Sequence, residues 1–398
     1  MAKVNRFERS VNHWLTTPEE NAAGRLGLYR IIYAVSALMY GLVTLNYAEI
    51  ATMPAYNWRP VAILAWMPAI PSADVLTMIY VTYIVSLVFL LFGLWTRWST
   101  LVVLISGMTF AGIVYSFGKI DHSDTFMRVY IPTVMLFGPW GKLYSVDALL
   151  AQRRGAAPLD PRDGSLRFSW PILFLFWLLC TFFMMSGVIK AIPPGQWLLD
   201  PDLMRKFMLE YNTIEQPVYI RHVLANLPVV PTLLLWMGLA FELFYPLAVI
   251  NKSWRTFYVS STVFFHMMTG ITLGIAFDVT LFLYILFFDL WRVFDRLVTV
   301  QARQRISTAS QRVPLWGWLG MIGAVSAVLL ISHYNPVTGP LYQRFLAMFS
   351  QNVWYIVVPI AAYGVLTSLP KIIRPIAARI SRRRGGITPD SPELTSAV

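Results

Sequence analysis

The chain has 398 residues, of which 57% are hydrophobic and only 13% are charged, and its mean hydropathy is +0.58. These values lie beyond the range of soluble globular proteins, so they exclude a soluble domain and predict a polytopic membrane protein. The net charge is +12, but the basic residues form no stripe or module typical of nucleic-acid binding, so nucleic acid is not an expected partner.

The N-terminal segment and the single cysteine restrict the interpretation further. The first residues, MAKVNRFERSVNHWLTTPEEN, are polar and contain no apolar core with a small-residue cleavage site, so we expect no removable signal peptide. Cys180 is the only cysteine and lies inside an apolar run. It excludes an intramolecular disulfide and a cysteine-built metal site, and we expect no bound metal.

Ten segments are long and apolar enough to be read as membrane-spanning helices. In chain order they cover 27–47, 75–95, 99–118, 126–143, 170–190, 231–250, 256–275, 278–291, 315–333 and 352–370. Two are irregular. Segment 126–143 carries Arg128, Pro132 and Pro139, whereas 278–291 is short and is expected to pair with 270–277 as a bent or re-entrant segment. The predicted fold is an all-α bundle of about ten transmembrane helices.

The distribution of basic residues predicts the orientation of this bundle. An even number of spans puts both termini on one side, and most of the 32 Lys and Arg residues lie in loops and helix ends on that side. The positive-inside rule therefore places both termini in the cytoplasm and the chain in the plasma (inner) membrane. Besides the bilayer itself, anionic lipid is the expected partner of the basic tail around RRRGG.

The chain divides into a membrane domain with short flanking segments. The predicted parts are a cytoplasmic segment 1–25, a transmembrane domain 26–296, two further helices within 297–370 and a basic cytoplasmic tail 371–398. Outer loops 48–74 and 191–230 are rich in Pro, Trp and Tyr, as is typical of interfacial caps, and inner loop 148–168 is predicted to be a polar linker.

Polar residues within or against the membrane are the candidates for function, because burying them in lipid is costly. Arg30 lies about one turn inside the first span, and we favour a side chain that snorkels to the inner headgroups over a buried pair with a carboxylate. Asp121, His122 and Ser123 form a polar turn between the third and fourth spans. A short solvated turn would have the same composition.

Glu242 and His266 lie near the middle of the sixth and seventh spans, where neither side chain can reach water. A structural pair and a functional site are both open interpretations. Glu242 can remain neutral through desolvation, or it can ionise beside Arg30, Lys190 or His266.

Lys190 ends the apolar run 170–189 within the segment SGVIKAIPPGQW, at the outer end of the fifth span. One interpretation is an interfacial anchor next to Trp197. The other is a reactive amine, desolvated enough to remain neutral and act as a general base.

Four segments together resemble the vitamin K-dependent gamma-carboxylase family and its bacterial relatives, the horizontally transferred transmembrane (HTTM) proteins. They are FGLWTRWSTLVV, IDHSDTFMRVYIPTVMLFGPWGKLYSVDALL, SGVIKAIPPGQW and FFHMMTG. The resemblance covers roughly residues 20–296. Its most specific part is a polar turn that leads to a helix ending in Ser-Val-Asp, followed by a helix ending in Gly-Val-x-Lys with a nearby Trp.

The resemblance implies an activity and the residues that perform it. The family's base, which deprotonates reduced vitamin K, corresponds to Lys190, with Ile189 in place of the preceding lysine. The family's Asn-His-Ser turn beside the quinone corresponds to Asp121, His122 and Ser123.

The resemblance extends to the seventh span. There the family's Phe-His segment corresponds to Phe265 and His266, and its later asparagine corresponds to Thr269. The implied catalytic residues are Lys190, His122 and His266, and the implied quinone-binding residues are Asp121, Ser123, Thr269 and Glu242.

The implied cofactor is a reduced quinone of the vitamin K or menaquinol type, held near the outer leaflet. Its epoxidation by dioxygen would be coupled to carboxylation of a glutamyl side chain, which would make the chain a lyase. Beyond residue 296 the sequence predicts two spans and a tail in place of the large lumenal domain of the animal carboxylases. The substrate is therefore expected to be small or lipid-like, a short secreted peptide, or a molecule held by a partner protein.

Three hypotheses follow. The chain is a quinol-dependent enzyme of the carboxylase type, a non-carboxylating HTTM protein that matures or handles a secreted peptide or lipid, or a membrane scaffold without chemistry. The first hypothesis predicts that Lys190, His122 and His266 converge on one cavity that opens to the outer side.

The topology yields a direct test. Reporter domains fused to either terminus should be active only in the cytoplasm, and a single cysteine placed within 48–74 should react with a membrane-impermeant thiol reagent from outside. The Cys180→Ala background serves as the control for labelling. External labelling of either terminus would contradict the orientation.

Overall fold

The computed structural model describes residues 17–43, 50–118, 125–192, 200, 202–214, 219–274, 278–334 and 338–385. Within these ranges the chain is helical and contains no β-strand. Fifteen α-helices follow in chain order: α1 Ala22–Val43, α2 Ala73–Phe92, α3 Thr96–Tyr115, α4 Ile131–Phe137, α5 Val146–Arg153, α6 Leu166–Ala191, α7 Leu203–Ile214, α8 Tyr219–Asn226, α9 Val230–Leu243, α10 Lys252–Leu273, α11 Asp278–Ile285, α12 Leu290–Leu297, α13 Val300–Arg312, α14 Leu315–Tyr334 and α15 Thr338–Gly385.

Five of the described helices are long and apolar enough to cross a bilayer, namely α2, α3, α6, α14 and the central part of α15. The pair α8 and α9 adds a sixth if its 97° bend belongs to one broken span. The chain is therefore an all-helical, multi-pass membrane protein. Each of the ten predicted spans overlaps a described helix, but only these five or six are long and apolar enough to cross a bilayer.

Several predicted spans are interrupted where the sequence carries proline or glycine. The segment 126–143 begins with a π-helical turn, Phe126–Tyr130, and α4 ends at Phe137, because Gly138 and Pro139 follow. After α9 the chain continues as a 3₁₀-helix, Tyr245–Val249, which contains Pro246. These breaks shorten the regular helices to less than a bilayer's thickness.

Segments predicted as loops also contain helices. The outer loop 191–230 includes α7 and α8, and a small apolar cluster joins this cap to α9 and α10. Its members are Met204, Met208, Ala225, Leu235 and Leu273. The Ser-Val-Asp sequence, Ser145–Asp147, begins α5 rather than ending a helix, because the Ser145 hydroxyl accepts a hydrogen bond from Ala148 N and caps α5.

Arg30 is fully buried, so the prediction that it snorkels to the headgroups is wrong. Its guanidinium donates hydrogen bonds to the carbonyl oxygens of Leu90, Leu91 and Tyr144 at 2.5, 3.0 and 2.5 Å. The first two carbonyls belong to the last turn of α2, where carbonyl oxygens lack the usual donor of a following helical turn. The Leu90 oxygen also accepts a hydrogen bond from Gly93 N at 3.0 Å. Arg30 therefore supplies hydrogen-bond donors to the carbonyl oxygens at the end of α2 from inside the bundle.

Asp147 binds the backbone on the other side of the turn between α2 and α3. Its carboxylate accepts hydrogen bonds from the backbone nitrogens of Trp95 and Thr96, at 2.8 and 2.7 Å, at the start of α3. Between them Gly93 has a φ of +67°, and a side chain at that position would collide with Arg30 and Ser145. The turn between α2 and α3 thus requires glycine.

A buried ion cluster joins the segment before α1 to three helices. Glu19 contacts Arg25 of α1 at 2.8 Å and Arg255 of α10 at 2.5 Å, and both of its carboxylate oxygens accept from these guanidiniums. The Glu19 backbone nitrogen donates to Ser169 of α6 at 2.7 Å. Burial by itself raises the pKa of Glu19, but the two arginines outweigh it and lower the pKa from 4.5 to about 2.

This cluster predicts how stability depends on pH. Because the pKa of Glu19 is lowered on folding, its contribution of about 3 kcal/mol is complete above pH 4.5 and is lost as the pH falls towards 2. Replacing Glu19 with Gln leaves two buried guanidiniums without their anion, which should destabilise the protein by about 3–5 kcal/mol at neutral pH. It should also flatten the pH dependence of the thermal unfolding midpoint below pH 4.5.

The matched control is Glu20→Gln, because the Glu20 side chain is exposed and its ion pairs within the described part of the chain are with two exposed cations, Lys252 and Arg292. Its removal should change the free energy of unfolding by about 1 kcal/mol or less. Tryptophan fluorescence of the detergent-solubilised protein measures both variants. A Glu19→Gln protein that unfolds at the wild-type temperature would rule out the ion cluster as a stabilising element.

Candidate functional site

The site begins at the crossing of α6 and α9, which Gly187 makes close. A Cβ atom on Gly187 would lie 2.9 Å from the backbone nitrogen of Leu243 and 3.0 Å from Cβ of Glu242, so no larger residue fits. Ser186 and Lys190 are four residues apart on α6 and share one face of the helix. The segment SGVIK thus combines a close helix contact with two polar side chains.

Lys190 and Glu242 form an ion pair across this crossing. The distance from Lys190 Nζ to Glu242 Oε1 is 2.5 Å, and the Ser186 hydroxyl donates to the same oxygen at 3.2 Å. The Glu242 side chain is 5% exposed and that of Lys190 is 27% exposed. Among the three partners considered for Glu242, the structure selects Lys190.

The second carboxylate oxygen of Glu242 contacts neither Lys190 nor Ser186 through a hydrogen bond. Oε2 is buried and has no hydrogen-bond partner among the described residues. A buried carboxylate oxygen without a donor is unfavourable, since burial removes the water that would otherwise bind it. Oε2 is therefore an available acceptor for a ligand that carries a hydroxyl or N–H group.

An aromatic layer lies beside the ion pair. Phe183, one turn before Gly187 on α6, stacks on Tyr245 with ring centroids 4.3 Å apart and an angle of 7° between the planes. Phe241, the neighbour of Glu242, lies edge-on to Phe183 at 5.8 Å and stacks on Phe265 at 5.1 Å. Together these rings form an apolar wall next to the crossing of α6 and α9.

His266 belongs to this layer and is almost fully buried. Its Nε2 lies 2.6 Å from the hydroxyl oxygen of Tyr284 on α11, and the two rings stack with centroids 5.7 Å apart. Which of the two atoms donates depends on the tautomer of His266. The ring of Phe183 lies 6.1 Å from that of His266 and thus connects this pair to the helix that carries Lys190.

The remaining predicted residues are placed as follows. The Thr269 hydroxyl donates to the carbonyl oxygen of Phe265 at 2.5 Å, a bond within its own helix that leaves only its lone pairs for a ligand. Asp121, His122 and Ser123 lie outside the described residues. The convergence of Lys190, His122 and His266 on one cavity stays a prediction, whereas the contacts join Lys190 to Glu242 and His266 to Tyr284 as two hydrogen-bonded pairs.

Sequence reasoning missed five contributors: Ser186, Tyr284 and the aromatic residues Phe183, Phe241 and Tyr245. Ser186 precedes Lys190 by four residues, so helical spacing was a sufficient signal for it. Tyr284 lies in a short apolar segment without a recognisable motif, and only the packing of α11 on the core brings it to His266.

No family model, curated protein or solved structure matches the chain. The resemblance to the carboxylase family therefore depends on the short motifs alone.

The helix crossing predicts a specific effect of Gly187→Ala. The added methyl group must push α9 away, which should separate Lys190 from Glu242 and destabilise the protein by about 1–3 kcal/mol. Gly238→Ala on α9 is the matched control, because its new Cβ would meet only Phe265 at an ordinary 3.6 Å.

Two measurements check this prediction. The thermal unfolding midpoint should fall for Gly187→Ala alone, and its Lys190 amine should react faster with an acylating reagent, as followed by mass spectrometry. Equal reactivity of Lys190 in both variants would show that the ion pair does not depend on the crossing.

Proposed function

We propose that the chain is an integral membrane enzyme of the vitamin K-dependent carboxylase type, in which the Lys190–Glu242 pair transfers the proton of a quinol. The observation that carries the proposal is a buried carboxylate that is only half satisfied: Oε1 binds Lys190 and Ser186, and Oε2 is unpartnered among the described residues. The proposal retains the predicted ten spans, the cytoplasmic termini and the position in the plasma membrane.

The residues present fit a reduced quinone. Glu242 Oε2 can accept a hydrogen bond from a quinol hydroxyl, and Phe183 and Phe241 offer aromatic surface to a planar ring. When bound, a reduced quinone would supply an acidic hydroxyl group and two electrons for reaction with dioxygen. Asp121, Ser123 and Thr269 are further proposed ligands from the family resemblance.

The ion pair explains how a lysine held by a carboxylate can still act as a base. The hydrogen bond from Nζ to Oε1 provides a path by which the proton can move to the carboxylate and leave a neutral amine. In an apolar environment the neutral pair is favoured more than in water, because neither partner then has to be solvated as an ion. Ser186 holds the carboxylate in place during the transfer.

His266 has a separate role in the proposal. Its hydrogen bond to Tyr284 and its place between Phe183 and Phe265 fix the ring orientation. From that position it forms part of the aromatic layer. The family resemblance assigns it to catalysis together with His122. The glutamyl substrate would be a small secreted peptide, or a protein presented by a partner.

The ion pair also favours a second candidate function. Lys190 and Glu242 bridge α6 and α9, and such a pair can be purely structural in a membrane scaffold. A non-carboxylating HTTM protein that handles a secreted peptide or lipid would use the same ion pair and aromatic layer without consuming quinol. Both alternatives, the scaffold and the non-carboxylating protein, differ from the carboxylase-type enzyme in the result expected when the charges of Lys190 and Glu242 are exchanged.

The test compares Lys190→Arg, Glu242→Gln and the exchange Lys190→Glu/Glu242→Lys. The wild-type protein should copurify with a quinone detectable by lipid mass spectrometry and should oxidise added reduced menaquinone. Lys190→Arg keeps the positive charge but supplies no neutral amine, so quinol oxidation should fall about 10²-fold or more while the unfolding temperature changes little.

The exchange variant separates chemistry from structure. It should recover the stability that Glu242→Gln loses, because the ion pair is rebuilt, but it should not recover quinol oxidation. Full activity of Lys190→Arg would exclude Lys190 as the base. A protein without bound quinone, whose only loss in these variants is stability, would support the scaffold.

A further inference from the structure

A polar groove runs along one face of α13, outside the site described above. It is a shallow, largely open surface whose residues come from this single helix and are spaced three or four apart. The lining residues are Gln301, Gln304, Arg305, Thr308, Ala309 and Arg312. The face therefore presents two guanidiniums seven residues apart, with amide and hydroxyl groups between them.

The charge of this face is uncompensated. The helix α13, with the sequence VQARQRISTASQR, contains three arginines and no acidic residue. Arg303 is neutralised by Asp295 at 2.6 Å, but Arg305 and Arg312 are exposed and make no ion pair among the described residues. The groove thus favours an anion.

The helix is fixed in position by α5. The Arg153 guanidinium donates to the carbonyl oxygens of Ser310 and Val313 at 3.2 and 2.6 Å, and also to that of Gln311. These acceptors lie at the carboxyl end of α13, where helix carbonyls need external donors. The two arginines of the groove are therefore presented by an anchored helix.

One end of the groove lies close in the chain to a candidate membrane span. Arg312 precedes Leu315, the first residue of the membrane-spanning α14, by three residues, which reach at most about 10 Å. Exposed apolar side chains occur on α13 and on the two neighbouring helices: Leu297 is 77% exposed, Ile306 61% and Trp316 80%. A helix with exposed cations and exposed apolar side chains next to a span is typical of an element that lies in the membrane interface.

We infer that the groove on α13 binds the phosphate headgroup of an anionic phospholipid, in the leaflet at the amino-terminal end of α14. The phosphate contacts Arg305 and Arg312, Thr308 and the glutamine amides donate to its oxygens, and Leu297, Ile306 and Trp316 contact the acyl region. This site is separate from the basic tail, and it does not depend on the proposed enzymatic function.

The experiment uses the full-length protein in neutral detergent with phosphatidylcholine, to which phosphatidylglycerol is added in increasing fractions. Thermal unfolding and the amount of bound phosphatidylglycerol, counted by mass spectrometry, are followed together. The Arg305→Gln/Arg312→Gln variant should require about 25-fold more phosphatidylglycerol for half-maximal stabilisation, because each arginine contributes about fivefold near an anionic surface.

The matched control is Arg97→Gln/Arg154→Gln, which removes the same charge from two exposed arginines that lie outside both the groove and the basic tail. It should keep the wild-type response. Inorganic phosphate at the same concentration should not replace the lipid, since the apolar contacts are part of the site. An equal loss in both double variants, no loss in the groove variant, or equal stabilisation by inorganic phosphate would each overturn the inference.

Discussion

The structure depends on one constraint: polar groups inside the bundle must find their partners in the protein, because lipid offers none. Arg30 meets it by binding the carbonyl oxygens that end α2 and precede α5. The Glu19 cluster meets it by placing a carboxylate between two guanidiniums from different helices. In both cases a charge that would be unfavourable alone links segments that are distant in sequence, so the same contacts determine how the helices are arranged.

The Lys190–Glu242 pair meets this constraint only in part, and that difference is the basis for assigning it a function. Both oxygens of Glu19 accept hydrogen bonds from arginine, whereas Glu242 uses Oε1 and leaves Oε2 without a donor among the described residues. Lysine also differs from arginine in that it can lose its proton. A fully satisfied arginine–carboxylate cluster is suited to holding helices together. A partly satisfied lysine–carboxylate pair, beside an aromatic wall, is suited to binding and proton transfer.

The membrane surface places a different demand on the chain. Between α12 and α14 the residues need not be apolar, and the sequence there forms α13. Its Arg305 and Arg312 are exposed, while Arg153 binds carbonyl oxygens at its carboxyl end. Positive charge in such loops is usually read as an orientation signal. On an anchored helix next to exposed Ile306 and Trp316, the same charge also provides a defined place for a lipid phosphate.

The sequence by itself determined the class of the protein and the approximate position of its long apolar helices, because hydropathy and length are local properties that a bilayer selects directly. It also identified Lys190, Glu242 and His266 as polar groups that need partners. It did not determine the partners. The sequence analysis assigned Arg30 to the headgroups, although the fold buries it. It did not identify Tyr284 as a partner of His266. The helices near Gly138 and Pro246 end earlier than the predicted spans. Only tertiary structure decided these points, because a hydrogen bond between residues 52 positions apart, as between Lys190 and Glu242, exists only once the crossing at Gly187 brings α6 and α9 into contact.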